Sequence, residues 1–399
     1  MTVHYRPPER WIQYDIGAIA QALVDAKAAV LSLAAIPFQR SWAEKLQEIQ
    51  LKREVAGTSR IEGAEFTERE LDAALAAETP HAAMTRSQRQ VRAAIETYRW
   101  IAGLADDRPV TEQLIRDIHR RIVTGCDDDH CEPGGLRGHG NNVTFGAPRH
   151  RGVEGGDACA RAFAELAAAI GDEFRRHDIL VQALALHYHI GAMHPFADGN
   201  GRTARAVEAL MLQCAGLKDT LFIAMSNYYY DEKPAYLAAL AECAARNHDL
   251  TPFLQFGLAG IQKQCQRLLD EIRLNVQKAL FRDVMYNLFN RLRSTRKRVL
   301  AGRQIAILNE LLDAPEMGID ELFERVQHQY TLKNPWKAFV RDLLYLEELE
   351  TIYIHEGIVG KKNFFWILIR LDWPTKITET EFFRRIDELP KGKSFRFLR

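Results

Sequence analysis

The sequence contains few cysteines, no excess of either charge and no long apolar run. Six cysteines are scattered over 399 residues, which is typical of reduced thiols in a cytosol and argues against a disulfide framework. Lysine plus arginine and aspartate plus glutamate both number 53, so no net charge draws the whole protein to nucleic acid or to a membrane. No basic region followed by an apolar stretch opens the chain, and no apolar run approaches the ~18 residues of a membrane span. We therefore expect a soluble, cytoplasmic protein with neither a signal peptide nor a transmembrane helix.

Hydrophobic residues follow a helical spacing along most of the chain, whose 399 residues are enough for two or three domains. We predict a mainly α protein with no strand before about residue 105, and a long basic helix from about 262 to 298. The changes in pattern define five segments, namely a helical region (1–105), a core (106–268), a linker helix (269–300), three helices with a hairpin that resemble a winged helix (301–373), and a tail (374–399).

One stretch, HPFADGNGRTAR at positions 194–205, joins two predicted helices through a tight turn. The preceding residues (179–193) are apolar on nearly all sides, which indicates a helix buried in the centre of a domain. Pro195 disfavours the helical conformation at the residue before it, so the buried helix is expected to end there. Two glycines within 198–201 permit positive φ, and a second helix is predicted from Arg202.

The chemistry of this turn favours an anion site. The backbone N–H groups of a Gly-rich turn form a concave nest, and the following helix adds the positive end of its dipole. Arg202 and Arg205 lie on one helix face, where they repel each other unless a polyphosphate binds between them. Asp198 suits such a site if it holds Mg²⁺ between the phosphates. His194 is then a candidate general base for a hydroxyl that attacks one of them.

The same stretch resembles the signature of the Fic (filamentation induced by cAMP) family, HPFx[D/E]GNGRxxR, with every fixed position filled. The resemblance implies an all-helical core with a small β-hairpin flap, which binds ATP with Mg²⁺. It implies transfer of AMP to a Ser, Thr or Tyr hydroxyl of a target protein, including the enzyme itself, while pyrophosphate leaves. It assigns the base to His194 and the metal to Asp198. It assigns the phosphates of ATP to Gly199, Asn200, Gly201, Arg202 and Arg205, of which Arg205 takes the γ-phosphate.

A second pattern lies upstream, where Thr58, Glu62 and Gly63 fit [S/T]xxxE[G/N]. On a helix Thr58 and Glu62 share one face, and Gly63 relaxes the helix just after them. The pattern is short enough to be an ordinary helix end, but it resembles the inhibitory motif of Fic proteins and occurs together with their main signature. The resemblance implies that Glu62 pairs with Arg205 and occupies the place of the γ-phosphate. The chain then resembles the class whose inhibitory helix precedes the core.

The resemblance also points to a target flap and an adenine site. A β-like run at residues 142–146 predicts a small hairpin. At this place Fic proteins carry a flap that adds the target's backbone as an extra strand. Arg137 resembles the arginine that precedes the flap, but relatives carry prolines where this chain has HRGVEGG, so the resemblance does not define the flap's end. Relatives use a tyrosine-bearing helix for adenine, and the candidates here are Tyr228 and Tyr236, with ordinary packing as the alternative. The flap residues are Asn142, Val143, Thr144 and Phe145.

Two further patterns have metal-binding alternatives. Cys126, His130 and Cys131 invite a zinc site, but a fourth ligand at suitable spacing is missing, so cysteines in a loop beside the active site are preferred. His187 lies in the buried helix, seven positions before His194. A core histidine with satisfied hydrogen bonds is preferred there over a metal ligand.

For the C-terminal segment, protein or intramolecular contacts are preferred over DNA. Basic residues at Arg296, Lys297, Arg298, Lys361 and Lys362 favour DNA. Three acidic residues on the presumed recognition helix, Glu347, Glu348 and Glu350, favour protein or intramolecular contacts instead. A homo-oligomer, removal of AMP from targets, and transfer of UMP, phosphocholine or phosphate all stay open. A transcription regulator whose Fic part senses nucleotide is the alternative from another class.

Overall fold

The fold is mainly α-helical, as the spacing of hydrophobic residues predicts. The computed structural model describes residues 3–36, 40–76, 84–104, 108–146, 149–217, 223–292, 295–359 and 362–389. The chain divides into two compact units, Met1–Leu269 and Asp270–Arg399. The division falls inside one long helix.

The first unit consists of ten helices, the beginning of an eleventh and a small sheet, within the described residues. The helices are α1 (Ile16–Ala34), α2 (Arg40–Ile61), α3 (Glu68–Leu75), α4 (Arg86–Ala102), α5 (Glu112–Val123), α6 (Asp157–Gly171), α7 (Ile179–Met193), α8 (Asn200–Leu212), α9 (Met225–Asp231), α10 (Lys233–Ala245) and α11 (Thr251–Asn290). A short 3₁₀ turn (Phe174–Arg176) precedes α7, and a π-helical turn (Gln213–Leu217) follows α8.

Helices α7 and α8 form the centre of this unit. Helix α7 has the bounds predicted from the sequence, and it is buried on nearly all sides because it is apolar on nearly all sides. Helix α8 begins at Asn200, two residues before the predicted start, because Gly199 at φ +76° provides its N-cap. The turn between the two helices is therefore held rigidly in the interior.

Helix α2 packs closely against α9. A side chain at Gly57 of α2 would meet the backbone of Ser226 at 2.4 Å, so only glycine permits this approach. Glu54, one turn earlier, accepts hydrogen bonds from the backbone and hydroxyl of Ser226 and from Tyr98 of α4. Burial raises the pKa of Glu54 to about 7, against the opposing effect of these hydrogen bonds. The C-terminal end of α2 is thereby fixed in place.

The expectation of no strand before residue 105 is wrong. Strand β1 (Val3–His4) pairs in parallel with β3 (His150–Arg151), which pairs antiparallel with β2 (Thr144–Phe145). Strands β2 and β3 confirm the predicted hairpin, although the paired part of the predicted run starts at Thr144. Two residues of β1 are too few to show a period, and the partner strand lies far along the chain, so the pairing could not be predicted from sequence.

Exclusion of a membrane span was too strict. Helix α1, with 19 residues, is long and apolar enough to cross a membrane by length and composition. The count of unbroken apolar residues missed it because Asp25 and Lys27 interrupt the run. One such helix near an N-terminus is weak evidence for a span, and Lys27 pairs with Asp178, the N-cap of α7. A cytoplasmic location stays a prediction.

The second unit combines helices with a three-stranded antiparallel sheet of order β4–β6–β5. Its hydrophobic core includes Phe281 and Phe289 from the last turns of α11, together with Phe339 and Trp373. The further elements are α12 (Thr295–Asp313), β4 (Glu316–Gly318), α13 (Ile319–Val326), α14 (Pro335–Glu348), β5 (Ile352–Val359), β6 (Lys362–Ile369), α15 (Trp373–Lys376) and α16 (Glu379–Glu388).

Three helices and the hairpin predicted for residues 301–373 are present, and the winged-helix assignment stays a prediction. The bounds of the long basic helix are wrong, because α11 begins at Thr251 and ends at Asn290. Of the basic residues considered for DNA, Lys361 lies outside the described residues, and residues 390–399 of the predicted tail lie outside them too. The side chains of Arg296, Lys297, Arg298 and Lys362 lie outside them as well.

Candidate active site

His194 lies immediately after α7 in the left-handed conformation, at φ 54° and ψ 59°. Pro195 explains this backbone, because it disfavours the right-handed helical conformation at the residue before it. The Nδ1 atom of His194 lies 3.0 Å from the carbonyl oxygen of Gly191, which can only accept, so Nδ1 carries the proton and Nε2 is free to accept one. Burial lowers the pKa of His194 to about 4, with a further lowering from Arg137. The ring is therefore neutral at physiological pH.

Side chains from within and outside the turn fix its shape. Asn200 accepts from the Phe196 N–H at 2.9 Å and donates to the Phe196 carbonyl at 2.8 Å, so both ends of its amide close the turn. His119 of α5 stacks on Phe196 and donates from Nε2 to the carbonyl of Asp198 at 3.0 Å, because its Nδ1 accepts from Gly134. Burial lowers the pKa of His119 to about 4. Asn200 was predicted to touch phosphate, whereas its side chain here holds the turn.

Arg202 is buried and forms an ion pair that the sequence did not predict. Its Nη1 donates to Asp127 at 2.6 Å, and its Nη2 lies 3.6 Å from Asp198. Asp127 also accepts from Arg86 at 2.6 Å and from Gln90 at 3.0 Å. Burial tends to raise the pKa of Asp127, but the charge of Arg202 and these hydrogen bonds hold it below its ordinary value. Asp127 is thus a buried carboxylate ion at the base of the site.

Arg205 contacts the upstream motif directly. Its Nε donates to Thr58 Oγ1 at 2.9 Å, and its Nη2 lies 2.5 Å from Glu62 Oε1. Although burial opposes it, the charge of Arg205 lowers the pKa of Glu62. Helix α2 ends at Ile61, so Glu62 emerges just past the helix and before Gly63 at φ +86°.

Gly201 shows how closely the carboxylate of Glu62 approaches the turn. A Cβ atom at Gly201 would lie 2.4 Å from Glu62 Oε1 and 3.1 Å from Arg205 Nη1. The first turn of α8 therefore accommodates the carboxylate because it has no side chain at this position.

A cavity of about 330 Å³ connects these residues. It includes His194, Glu62, Gly201 and Arg205, and an apolar wall comes from α10. Tyr236 belongs to the same cavity, where its hydroxyl is 2.9 Å from His187 Nε2. Sequence reasoning missed the wall, because its spacing is that of any amphipathic helix. The α10 residues of the wall are Leu237, Leu240, Ala241 and Ala244.

Tyr228 is not brought to this cavity. Its ring packs against Phe256 and against Gly260 of α11, where an added Cβ would lie 2.4 Å away. Tyr228 therefore has the packing role that was the alternative in the sequence. Of the two tyrosines proposed for adenine, Tyr236 lies at the site.

Residues 109–212 match the model of the Fic/DOC family. The chain contains a Fic/DOC domain. Domains of this family generally transfer AMP or other nucleotide-phosphate groups to proteins. The matched residues include His194, Asp198, Gly199 to Gly201, Arg202 and Arg205.

Solved structures of Fic proteins share the fold at low sequence identity. A Fic family protein from Desulfovibrio desulfuricans G20 is 18% identical, with 92% of this chain and 98% of that chain covered and a TM-score of 0.55. A fragment of Fic-1 from C. elegans is also 18% identical, with 65% of this chain and 74% of that chain covered and a TM-score of 0.55. At this level of identity the likeness establishes the fold alone.

Arg137 links the flap of the Fic/DOC domain to its histidine. The side chain is buried and donates to the carbonyls of His194 and Asn141 at 2.6 Å and of Val153 at 2.5 Å. Phe145 of β2 stacks on the His194 ring with 4.0 Å between centroids. The flap is thereby held over the candidate base. Asn142 accepts from the Gly155 N–H at 3.2 Å and lies outside the paired strands.

The donor set around Asp198 fits Mg²⁺. Magnesium in nucleotide sites takes one or two carboxylates and completes its shell with phosphates and water. Asp198 presents a carboxylate that is 38% exposed at the turn, and no group of three or more possible metal ligands occurs among the described residues. Such a metal would be held by Asp198 and would neutralise charge on the phosphates of a bound nucleotide.

Cys126 and Cys131, considered for zinc, are buried in the turns after α5. Burial raises the pKa of Cys126 to about 12 and that of Cys131 to about 11, so both thiols are protonated at physiological pH. His130 contacts Asp129 rather than the cysteines, at 3.5 Å. The residue of this segment that contacts the site is Asp127, which lies between the two cysteines in sequence and pairs with Arg202.

Proposed function

We propose that this chain is a protein adenylyltransferase that transfers AMP from ATP to a Ser, Thr or Tyr hydroxyl of a target protein, itself included, and that Glu62 inhibits it. The observation that carries the proposal is the 2.5 Å contact between Glu62 and Arg205 inside the cavity of a Fic/DOC domain. A carboxylate at this guanidinium occupies a place where a terminal phosphate would otherwise bind.

His194 is suited to start the reaction. Its Nε2 atom takes the proton of the target hydroxyl, and the hydroxyl oxygen forms a bond to the α-phosphorus of ATP. The bond from that phosphorus to the bridging oxygen breaks, and pyrophosphate leaves with the electron pair. The target retains AMP as a phosphodiester. The N–H groups of the turn and Arg202 supply positive charge where negative charge accumulates.

The cavity also fits the remaining parts of the substrates. Tyr236 and the apolar wall of α10 provide a surface for the adenine ring. The β2–β3 hairpin lies above the base, so a target strand added to it brings a hydroxyl to His194. Arg205, once released from Glu62, takes the γ-phosphate.

Labelled ATP tests this function. Glu62→Gly protein is incubated with ATP labelled at either the α- or the γ-phosphate, alone and in cell lysate, and the proteins are then separated. We expect label from the α position on this chain and on a target, and none from the γ position. Label from γ alone would mean phosphate transfer, and label from neither position in an enzyme that binds ATP would reject nucleotidyl transfer. His194→Ala in the same background is the matched inactive control.

A further inference from the structure

Two carboxylates and two guanidiniums meet beside the Gly-rich turn. Arg202 contributes Nη1 to Asp127 at 2.6 Å and Nη2 toward Asp198 at 3.6 Å. Arg86, the first residue of α4, lies 2.6 Å from Asp127 and 3.7 Å from Asp198. Both guanidiniums therefore lie within hydrogen-bonding distance of Asp127 and farther from Asp198, although they come from different helices.

The two carboxylates differ in their surroundings. Asp127 is fully buried and also accepts from Gln90 at 3.0 Å, whereas the side chain of Asp198 is 38% exposed. The backbone N–H of Asp127 donates to the carbonyl of Val123 at 2.9 Å, which ties Asp127 to the last turn of α5. Asp127 is thus a fixed, saturated acceptor, and Asp198 is an accessible one.

We propose that Asp127 is a positioning residue that holds Arg86 and Arg202 away from Asp198 and so keeps the carboxylate of Asp198 available for a divalent cation. This inference rests on the proposed function, in which Asp198 holds the metal that accompanies ATP. Without the charge on Asp127, Asp198 still lies 3.6 Å from Arg202 and 3.7 Å from Arg86, and a shift of about 1 Å brings either guanidinium into hydrogen-bonding distance of it. The local charge also becomes more positive, which disfavours a cation and favours the nucleotide anion.

A purely structural role for Asp127 predicts something different. If Asp127 only anchors α4 and α8, its loss weakens every ligand of the site to a similar degree. If it protects Asp198, its loss weakens the metal while the nucleotide without metal binds equally well or more tightly. The two roles are therefore separated by comparing the affinity for nucleotide with and without metal.

The experiment measures the dissociation constant of a non-cleavable ATP analogue by calorimetry, once with Mn²⁺ and once with EDTA. All proteins carry Glu62→Gly in the full chain. In Asp127→Asn, which keeps the shape of the side chain, we expect the tightening by Mn²⁺ to fall by about 10-fold, the usual effect of losing a residue that orients a metal ligand. The dissociation constant of the analogue measured in EDTA should be unchanged or smaller. Asp129→Asn, a change in the same loop at a side chain that is 76% exposed, is the matched control and should behave as the parent.

A second variant keeps the inference testable if Asp127→Asn alone is unstable. Adding Arg86→Gln removes one of the two cations, so the double variant should regain part of the Mn²⁺ effect. Equal loss of affinity with and without metal, or an unchanged Mn²⁺ effect in Asp127→Asn, overturns the inference. A parent protein that binds the analogue in neither condition overturns the proposed function itself.

Discussion

His194 combines an unusual backbone with a ring whose protonation is set before substrate binds. Pro195 drives the residue into the left-handed region, and the bond from Nδ1 to the carbonyl of Gly191 leaves Nε2 as the basic atom. Burial accounts for the low pKa of about 4. The cost is a weaker base, and the gain is that no proton has to leave the ring before it acts.

We expect the acid limb of the reaction to report this low pKa. In Glu62→Gly protein, kcat/KM for auto-modification should be nearly constant from about pH 8 to 6 and fall below about pH 5, as the ring of His194 becomes protonated. His194→Ala should lower the rate by about 10² to 10⁴ and leave ATP affinity nearly unchanged. An acid limb near pH 6.5, the value of an unperturbed histidine, would contradict the buried neutral ring.

The contact between Glu62 and Arg205 gives a second prediction at the level of residues. Removal of the carboxylate in Glu62→Gly should raise the rate of AMP transfer by about 10- to 10³-fold, as expected for the loss of a competing ion pair. The Arg205→Ala variant should transfer AMP slowly, and adding Glu62→Gly should not restore the rate, because the partner of the γ-phosphate is then missing. Rates of auto-modification for the wild type, both single variants and the double variant test this. Glu62→Gln is the control that keeps the size of the side chain.

The site residues that could be predicted from sequence are those that lie close together in one stretch of the chain. His194, Asp198, Arg202 and Arg205 fall within one stretch, so their meeting follows from local geometry. Asp127 meets Arg202 from 75 residues away, and its neighbours Cys126 and Cys131 pointed to a metal instead. An acid in a loop shows no period, so only the three-dimensional structure reveals its partner.

At the level of elements, strand β1 is the least expected feature. The N–H of Val3 donates to the carbonyl of Arg149 at 3.0 Å and that of Tyr5 to the carbonyl of Arg151 at 2.8 Å, so residues 3–5, which we call the N-terminal arm, cover the outer edge of β3. Tyr5 fixes the arm through its hydroxyl, which is 3.0 Å from His189 of α7. The arm thus leaves β2, the strand that stacks on His194, as the open edge of the flap.

We expect the arm to support target binding by stiffening the flap. Val3→Pro removes one donor of β1, and the loss of about 1 kcal/mol for one hydrogen bond should raise KM for a protein target by about fivefold. Affinity for ATP should stay unchanged. Val3→Ala, which keeps the N–H, is the control. A lower KM in Val3→Pro would show instead that the arm competes with targets for the edge of β3.

The ends of a helix could be predicted well where the same face of the helix is buried along its whole length. Helix α7 is buried along its whole length, so its apolar run and the following proline define both ends. Helix α11 changes its environment along its length, since Leu268 and Ile272 are buried before an exposed stretch and Phe281 and Phe289 after it. A helix that changes its buried face has no single period, which explains why its bounds were misjudged.

The whole molecule is divided within α11 rather than between elements. Residues up to Leu269 belong to the unit that contains the Fic/DOC domain, and the last turns of α11 belong to the core of the second unit. Between the two buried stretches, Leu274, Val276 and Leu280 are exposed. A domain boundary placed at the C-terminal end of α11 would therefore separate its last turns from the hydrophobic core of the second unit, to which they belong.

Two truncations test this division. The chain cut after Lys278 retains every residue assigned here to the chemistry and removes the helix turns that belong to the second core, so in the Glu62→Gly background it should auto-modify at a rate within about threefold of the full chain. The chain cut after Arg298 has the same catalytic residues but exposes Phe281, Met285 and Phe289, which lie in the core of the second unit. Exposed apolar surface of this kind promotes association, so the longer fragment should aggregate more than the shorter one. Circular dichroism, light scattering and labelled-ATP assays on both fragments measure the difference. If the shorter fragment folds normally and fails to bind nucleotide, the second unit contributes directly to the site, and the division of labour proposed here is wrong.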